Sequence, residues 1–354
     1  MKTMMTLDAL ANEITRVQAS KHDYLADARR MGFYASSPES EDGGVRALSL
    51  DDVDEQPLFP LTPYAEGQVA TKLGVPKKFW DRLAADYPAQ LQDVARAIMA
   101  NEPGERRLVR TLDGKVRAYL SNRYRRIDNA WIADQAILPT LAEFPNVEIR
   151  SCGLTETRMY IKATFPGVEA KVVGDVVRSG VAISNSEVGA GKFLVELFVE
   201  KLDCTNGMIG TTSLAKQHTG GRLTGDDEGG IFADDTLEAA DKALLLEARD
   251  LVRASADLAQ FEAIVAQCRA LAEIDVEDDP PKFVEKLADR HDLSEGEGSS
   301  ILRHLIQGGD LSAWGYVNAV TRTAEDVESY DRATELERLG GRLVELPPQD
   351  WRLN

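Results

Sequence analysis

Residues 107–120 read RLVRTLDGKVRAYL, two runs of alternating apolar and polar residues on either side of Asp113-Gly114. An Asp-Gly pair between alternating runs is a strong signal for a β-hairpin, because the two turn positions need the positive φ that Asp and Gly tolerate. If Leu112 pairs with Lys115, then Arg110 lies opposite Arg117. The sequence therefore predicts a hairpin with two arginines side by side on its exposed face.

The same pairing divides the hairpin into two faces. Leu108 and Tyr119 lie next to the arginine pair, and the opposite face is apolar enough to pack on a core. That second face consists of Val109, Thr111, Val116, Ala118 and Leu120. Like charges directly opposed across a hairpin are unfavourable, so the arginine pair needs either an acid from a neighbouring strand or an anionic ligand. The residues leave both alternatives open.

Two further segments have the composition of nucleic-acid contacts. Residues 121–126, SNRYRR, place arginines around a tyrosine, as a loop that binds single strands does. Residues 216–222, KQHTGGR, form a glycine-rich basic stretch whose backbone can approach a phosphate. A solvated positive face and a plain connector would use the same residues. Asp128 or Asn129 is expected to cap a helix from Ala130 to Phe144.

The candidate nucleic-acid-binding residues are basic or aromatic: Arg107, Arg110, Lys115, Arg117, Arg123, Tyr124, Arg125, Arg126, Lys216, His218 and Arg222. The 354-residue chain carries a net charge of -18, which argues against a nucleic-acid footprint over the whole surface. Charge is unevenly distributed, however. Residues 106–126 contain eight bases and one acid, whereas residues 226–297 contain 21 acids and seven bases.

Motifs for metal, cofactor or catalytic sites are missing from the sequence. Three dispersed cysteines, Cys152, Cys204 and Cys268, fit a reducing compartment, and the four histidines lack metal-ligand spacing. Residues 189–192, GAGK, resemble the end of a phosphate-binding loop, but Phe193 stands where the magnesium-binding Ser or Thr belongs. We expect no catalytic residue, no metal site and no cofactor, and hence no enzyme.

The pattern along the chain predicts three regions and an α+β fold. Residues 1–60 are expected to form an N-terminal arm and acidic linker, residues 61–222 an α/β core, and residues 223–354 a mainly helical region. Within the core, Gly74 and Pro76 separate two predicted helices, and strands are predicted around residues 147–202. The expected core is a mixed or antiparallel sheet that contains the hairpin and has flanking helices.

The C-terminal region has two helical signals. An apolar stripe from Thr236 to Ile274 is long enough for a coiled hairpin or a subunit contact, although core packing is its more common use. Spacings of three and four residues predict charge networks on helix surfaces for five residues. These are Arg322, Glu325, Glu335, Glu337 and Arg338.

The hydropathy pattern predicts an intracellular protein. No apolar run approaches the length of a bilayer span, and residues 1–7 lack the apolar stretch of a secretory signal. We expect a cytoplasmic location, in the host cytoplasm if the protein comes from a phage, and no membrane association.

Several motifs resemble the DUF932 family of phage and plasmid proteins over about residues 61–346. They are LGV at 73–75, SNRYRRIDN at 121–129, SCGLTETRMY at 151–160, ISNSEVG at 183–189, CTNGM at 204–208 and NAVTRTAEDVESYDRATELERL at 318–339. The resemblance implies a prophage or other mobile-element origin and supplies no catalytic residues. A basic hairpin followed by a helix and further strands is also similar, at the level of fold, to Rad52-type annealing proteins.

Two function classes follow from these patterns. The first is a single-stranded DNA-binding and possibly strand-annealing protein, acting in DNA recombination as a homo-oligomer that aligns its basic hairpins. The alternative is a non-enzymatic interaction factor whose acidic surface, possibly a mimic of DNA charge, binds a host or phage protein.

Overall fold

The computed structural model describes residues 5–41, 43–50, 57–102, 104, 106–202, 207–216, 234–276 and 279–351. The first part of the chain contains α1 (Leu7–Ser20), β1 (Lys21–Asp27), β2 (Met31–Ala35), β3 (Arg46–Leu50), β4 (Leu58–Pro60), α2 (Pro63–Lys72), α3 (Lys77–Asp86), α4 (Pro88–Ala100), β5 (Arg106–Leu112) and β6 (Lys115–Ser121). Next come α5 (Asn129–Ile132), a π-helical turn (Ala133–Ile137) and α6 (Leu138–Leu141), which form one continuous rod.

The central strands are β7 (Glu148–Leu154), β8 (Met159–Val172), β9 (Asp175–Asn185), β10 (Phe193–Lys201) and β11 (Gly207–Lys216). The C-terminal helices are α7 (Asp234–Ala254), α8 (Leu258–Ala272), α9 (Pro280–His291), α10 (Glu295–Gly308), α11 (Ala313–Thr323) and α12 (Tyr330–Val344), followed by a 3₁₀ turn (Pro348–Trp351). Sheets therefore dominate the N-terminal region and helices the C-terminal region, and the α+β fold class is confirmed.

The predicted hairpin turn is confirmed. Asp113 and Gly114 have φ values of 50° and 74°, and Leu112 pairs with Lys115. Beyond Thr111 the register shifts, so Arg110 lies opposite Ala118 and Arg117 is the extra residue of a β-bulge. The prediction that Arg110 faces Arg117 is therefore wrong.

The bulge also changes which residues share a face. Val109, Val116 and Tyr119 pack in the core beneath α2–α4, whereas Leu108, Ala118 and Leu120 pack against Val188 on the other side. Both faces of the hairpin are thus covered by protein. A face with exposed arginines does not exist here, because each side contacts another layer.

The hairpin belongs to a different sheet from the one expected. Strands β7–β11 form a five-stranded antiparallel sheet in the order β11-β10-β9-β8-β7, and the hairpin forms a three-stranded sheet in the order β1-β5-β6. A third sheet has the order β2-β3-β4. The antiparallel sheet is confirmed, but the placement of the hairpin within it is wrong, because β1 pairs with β5 along its whole length.

The N-terminal residues are a folded part of the molecule. Leu10 and Ile14 of α1 lie in the core of the five-stranded sheet, and the backbone N–H of Met5 donates to Cys152 at 3.0 Å. Strand β1 then supplies one edge of the hairpin sheet. The prediction of a separate N-terminal arm is wrong for residues 5–35, and residues 51–56 of the predicted acidic linker lie outside the described residues.

Helices α2 and α3 match the sequence prediction. Thr62 accepts a hydrogen bond from the Ala65 N–H at the start of α2, and Gly74 adopts a positive φ of 70° directly after the helix. Pro76 then precedes α3. Positive φ at the helix end is a conformation that glycine adopts at little cost, which is why this boundary could be predicted.

The predicted apolar stripe of residues 236–274 is divided by a break at residues 255–257. Leu244 of α7 packs in the core beneath the five-stranded sheet, whereas Phe261 and Val265 of α8 pack with the C-terminal helices. The Asp257 carboxylate accepts a hydrogen bond from the Gln260 N–H at 2.9 Å and caps α8. Core packing is confirmed for Leu244, Phe261, Val265, Cys268 and Leu271, whereas Leu258 is 54% exposed.

Helix α12 packs on the sheet through charged side chains. Glu337 pairs with Lys162, and Arg338 donates to Glu196 at 2.6 Å. Glu335 lies on the surface and pairs with Arg332 at 2.8 Å. The predicted surface network is therefore wrong for Glu337 and Arg338, whose partners lie on strands distant in sequence. No helix in the described ranges has the length and apolar character needed to cross a bilayer.

Candidate nucleic-acid interface

Arg110 is held inside the molecule by three acidic residues. Its guanidinium is 0% exposed and donates to Asp23 at 2.8 Å, to Asp128 at 2.7 Å and to the backbone carbonyl of Glu187 at 2.8 Å. Burial alone would lower the pKa of Arg110, but the surrounding carboxylates outweigh burial and raise it. Acids from neighbouring segments, not a ligand, compensate this charge.

Glu187 holds the second predicted arginine. The Arg117 side chain donates to Glu187 Oε2 at 2.6 Å, and the Asn129 backbone N–H donates to Oε1 at 2.7 Å. Glu187 therefore caps α5, whereas the Asp128 side chain pairs with Lys21 at 2.8 Å. The expectation that Arg110 and Arg117 form an exposed anion-binding pair is wrong, since a phosphate cannot reach buried guanidinium groups.

Asp128 makes the stability of this network depend on pH. Burial would raise its pKa, but Arg110 and Lys21 outweigh burial and lower the pKa of Asp128 to about 2. In the unfolded chain the value is about 3.9, so between pH about 4 and about 2 the unfolded state binds the extra proton. This contribution to stability is present above pH about 4 and is lost as the pH falls to about 2.

We therefore expect the urea midpoint of the parent to fall as the pH is lowered through this window, with a smaller fall in Asp128→Asn. Denaturation curves followed by circular dichroism at several pH values between about 5 and about 2 would measure both slopes. Parallel slopes for parent and variant would contradict the role assigned to Asp128.

The remaining predicted contact residues differ in their surroundings. Arg107 is buried and pairs with Glu102 at 3.0 Å, Arg125 pairs with Asp241, and Arg126 lies 3.4 Å from Asp23 with its side chain 42% exposed. Lys115 and Arg123 are exposed, and Lys216 is half-buried at the end of β11. His218 and Arg222 lie outside the described residues.

Tyr124 faces an open groove beside the hairpin, which we name the tyrosine–lysine groove. It has a volume of about 810 Å³. Its lining residues are Pro63, Tyr64, Gly67, Gln68, Thr71, Lys72, Lys77, Tyr119, Leu120, Ser121, Tyr124, Gly189, Gly191 and Lys192. Among the described residues, this lining includes three lysines and no aspartate or glutamate. The groove therefore differs in charge from the chain as a whole, whose net charge is -18.

Gln68 fixes the two walls of the groove relative to each other. Its side-chain amide donates to the Val188 carbonyl at 2.7 Å, and its carbonyl oxygen accepts from the Tyr119 N–H at 2.8 Å. Helix α2 is thereby joined both to β6 and to the loop at residues 186–192. Because each bond uses a different end of one amide, the three segments are held in a single arrangement.

The glycines of the loop allow it to approach the other wall closely. A Cβ atom on Gly189 would lie 2.7 Å from Leu120, and Gly189 has a positive φ of 81°. A Cβ atom on Gly191 would lie 2.8 Å from the Arg158 guanidinium, which donates to the Ala190 carbonyl. A larger residue at either position would displace the loop and change the width of the groove.

Three tyrosines line the groove, and Tyr64 and Tyr124 are the two that are partly exposed, since Tyr119 is 0% exposed. The Tyr124 hydroxyl donates to the Ser186 carbonyl at 2.8 Å, and burial raises the pKa of Tyr124. Burial also raises the pKa of Tyr64, while nearby Arg158 acts in the opposite direction. Both rings therefore stay neutral at physiological pH and present aromatic surface to the groove.

Sequence reasoning found Tyr124 but missed Tyr64, Lys72 and Lys192 as members of one site. Lys192 appeared only as part of an incomplete phosphate-binding loop, and Lys77 was not identified. No local pattern reveals the site, because its residues come from segments that are far apart in sequence. These segments are α2, α3, the residues that follow β6 and the 186–192 loop, and only the tertiary structure brings them together.

Comparisons of the chain with protein-family models, curated proteins and solved structures found no match. In the part of the chain that the structure describes, no group of three or more His, Cys, Asp or Glu residues is arranged to hold a metal ion.

Four of the motifs that resemble DUF932 contact one another in pairs. Tyr124 of SNRYRRIDN contacts Ser186 of ISNSEVG, and Asn185 of the same motif donates to Asn129 at 2.9 Å. Tyr160 of SCGLTETRMY donates to Asp331 at 2.7 Å, within the C-terminal motif. The first two of these motifs supply residues that line or support the tyrosine–lysine groove.

Proposed function

We propose that this chain binds single-stranded DNA in the tyrosine–lysine groove. The observation that carries the proposal is the combination of three lysines, two tyrosines at the open side and no carboxylate in one groove of an acidic protein. Long-range repulsion by the net negative charge opposes nucleic acid over much of the remaining surface. Binding is thereby directed to this groove.

The chemistry of a single strand fits the lining. Lys72 and Lys192 are exposed and make no ion pair with any described residue, so they are available to phosphates. Lys77 is already paired with Asp81 on the next turn of α3 and contributes less. The rings of Tyr64 and Tyr124 offer stacking surface to bases, which is independent of base identity. We therefore expect the groove to bind single-stranded DNA without strong sequence preference.

Replacing Lys72 and Lys192 together by glutamine is expected to weaken the binding of a labelled thymidine oligomer and to flatten its salt dependence. Each phosphate contact with a single strand contributes about 0.7 to the slope of log K against log salt concentration, so the loss of two contacts lowers the slope by about 1.4. Fluorescence anisotropy over a series of salt concentrations measures affinity and slope together.

The matched control is Lys242→Gln with Lys282→Gln, which removes the same charge from exposed positions on α7 and α9. This variant should bind with the affinity and salt slope of the parent. Equal weakening in both double variants would indicate a general charge effect and not a groove. Absence of binding by the parent at low salt would disprove the proposal.

We also propose membership of the DUF932 family, a mobile-element origin and a non-enzymatic role. Strand annealing would require several subunits to align their grooves, and a homo-oligomer is part of this proposal. Annealing of complementary oligonucleotides, together with a mass measurement with and without DNA, would test it. Cleavage of DNA in the presence of magnesium would contradict the absence of catalysis.

A second candidate function follows from the acidic helical region. Net charge between residues 226 and 297 is strongly negative, and exposed carboxylates include those of Asp250, Glu262 and Glu285. Such a surface favours a basic protein partner. A pull-down with a basic DNA-binding protein that is released by salt and unaffected by the Lys72/Lys192 variant would favour this function.

A further inference from the structure

A second polar cavity lies between the β8–β9 turn, the end of β10 and helices α10 and α11. It has a volume of about 260 Å³ and shares no lining residue with the tyrosine–lysine groove. One face of α11 contributes Gly315, Asn318 and Arg322, at intervals of three and four residues. Their side chains and backbone therefore face a common space.

Arg322 brings a positive charge to this cavity. Its guanidinium is half-buried and makes no hydrogen bond or ion pair with any residue that the structure describes. Two acids also line the cavity: Asp175 pairs at 2.6 Å with Lys201, another lining residue, and Asp310 accepts from the Ser312 N–H at 2.9 Å. A half-buried guanidinium with no carboxylate partner among the described residues keeps its N–H donors available to an anionic ligand.

His304 of α10 supplies a second unsatisfied group. Only 8% of the residue is exposed, its Nε2 atom lies 2.7 Å from Asp326, and its buried Nδ1 atom has no partner among the described residues. Asp326 does not line the cavity, whereas His304 does. The carboxylate thus orients the ring from one side, and Nδ1 is the ring nitrogen left for a ligand.

We propose that this cavity binds an oxyanion of the phosphate class between Arg322 and His304. A guanidinium presents paired N–H donors that match two phosphate oxygens, and an imidazolium donates from both ring nitrogens. The bound oxyanion and Asp326 then hold the His304 ring from opposite sides. The buried Leu305 side chain forms an apolar part of the wall.

The phosphoryl group can come from a small phosphate ester or from the backbone of a nucleic acid. Three probes distinguish these sources in calorimetric titrations of the full chain: inorganic phosphate, thymidine 5′-monophosphate and a thymidine oligomer without terminal phosphates. Binding of the first two alone identifies a small-molecule site. Binding of the oligomer that weakens on Arg322→Gln identifies a backbone contact outside the groove.

Arg322→Gln is expected to weaken inorganic phosphate binding by about tenfold or more, since a charge-assisted bidentate contact is lost. Arg303→Gln is the matched control: Arg303 is also on this side of the molecule and bonds Asp326 at 2.7 Å, but it does not line the cavity. Its affinity for phosphate should stay within about twofold of the parent.

His304→Gln should weaken phosphate binding as well, and circular dichroism checks that the variant is folded. If that variant does not fold, Arg322→Gln decides the matter, because the Arg322 side chain has no partner among the described residues to lose. The proposal is overturned if the parent gives no heat with millimolar phosphate. It is equally overturned if Arg303→Gln and Arg322→Gln weaken binding to the same extent.

Discussion

Arg110→Gln is expected to lower the free energy of unfolding by about 3–5 kcal/mol, the usual cost of removing one partner from a buried charged network. Glutamine cannot supply the four donated bonds that Arg110 makes, two to Asp23, one to Asp128 and one to the Glu187 carbonyl. Two carboxylates would then lose their main positive partner inside the protein. Urea denaturation followed by circular dichroism measures the loss.

The stability of Arg110→Gln distinguishes a buried arginine network from the exposed arginine pair that the sequence pattern predicts. An exposed arginine pair would be relieved by the change to glutamine, and stability would stay level or increase slightly. Arg126→Gln is the matched control, because Arg126 also lies near Asp23 but its side chain is 42% exposed. That variant should change stability by less than about 1 kcal/mol. A stable Arg110→Gln protein would contradict the buried network.

Trp351→Ala is expected to have an effect of similar size in the helical part of the molecule. Trp351 is 0% exposed, and its ring stacks on Phe283 at 5.9 Å between centroids and lies 6.5 Å from Tyr316. Removing a fully buried tryptophan costs about 3–5 kcal/mol, through lost burial and the cavity that remains. The urea midpoint of the helical signal reports the change.

Phe79→Ala provides the comparison for Trp351→Ala, since the Phe79 residue is 52% exposed on α3. Little apolar surface is lost from a core at that position, so stability should change by less than about 1 kcal/mol. A Trp351→Ala protein as stable as Phe79→Ala would show that the 3₁₀ turn at the end of the described chain does not pack on α9 and α11.

Arg110→Gln and Trp351→Ala are expected to differ in their effect on DNA binding. Arg110 and Trp351 do not line the tyrosine–lysine groove. Arg110 does bond the carbonyl of Glu187, next to the loop that forms one wall of the groove. A folded Arg110→Gln protein is therefore expected to bind single strands more weakly, with an unchanged salt slope, because the loop is displaced while the lysines remain.

Local residue properties alone determined several elements of this protein. The Asp113-Gly114 turn follows from the positive φ that both positions require, and the end of α2 follows from Gly74 for the same reason. The antiparallel α+β fold followed from alternating and helical patterns. These features depend on residues within a few positions of one another, so local sequence patterns are enough to predict them.

Tertiary structure alone decided where the charges lie. Arg110 is 87 residues from Asp23 and 77 residues from Glu187, and no local pattern reveals that these groups meet. The bulge at Arg117 reverses the faces of β6 beyond it, a change that depends on packing against both neighbouring layers. The lysines and tyrosines of the groove are also brought together by contacts between segments that are distant in sequence. Such contacts set burial and charge pairing, whereas the backbone preferences of individual residues set turn and helix boundaries.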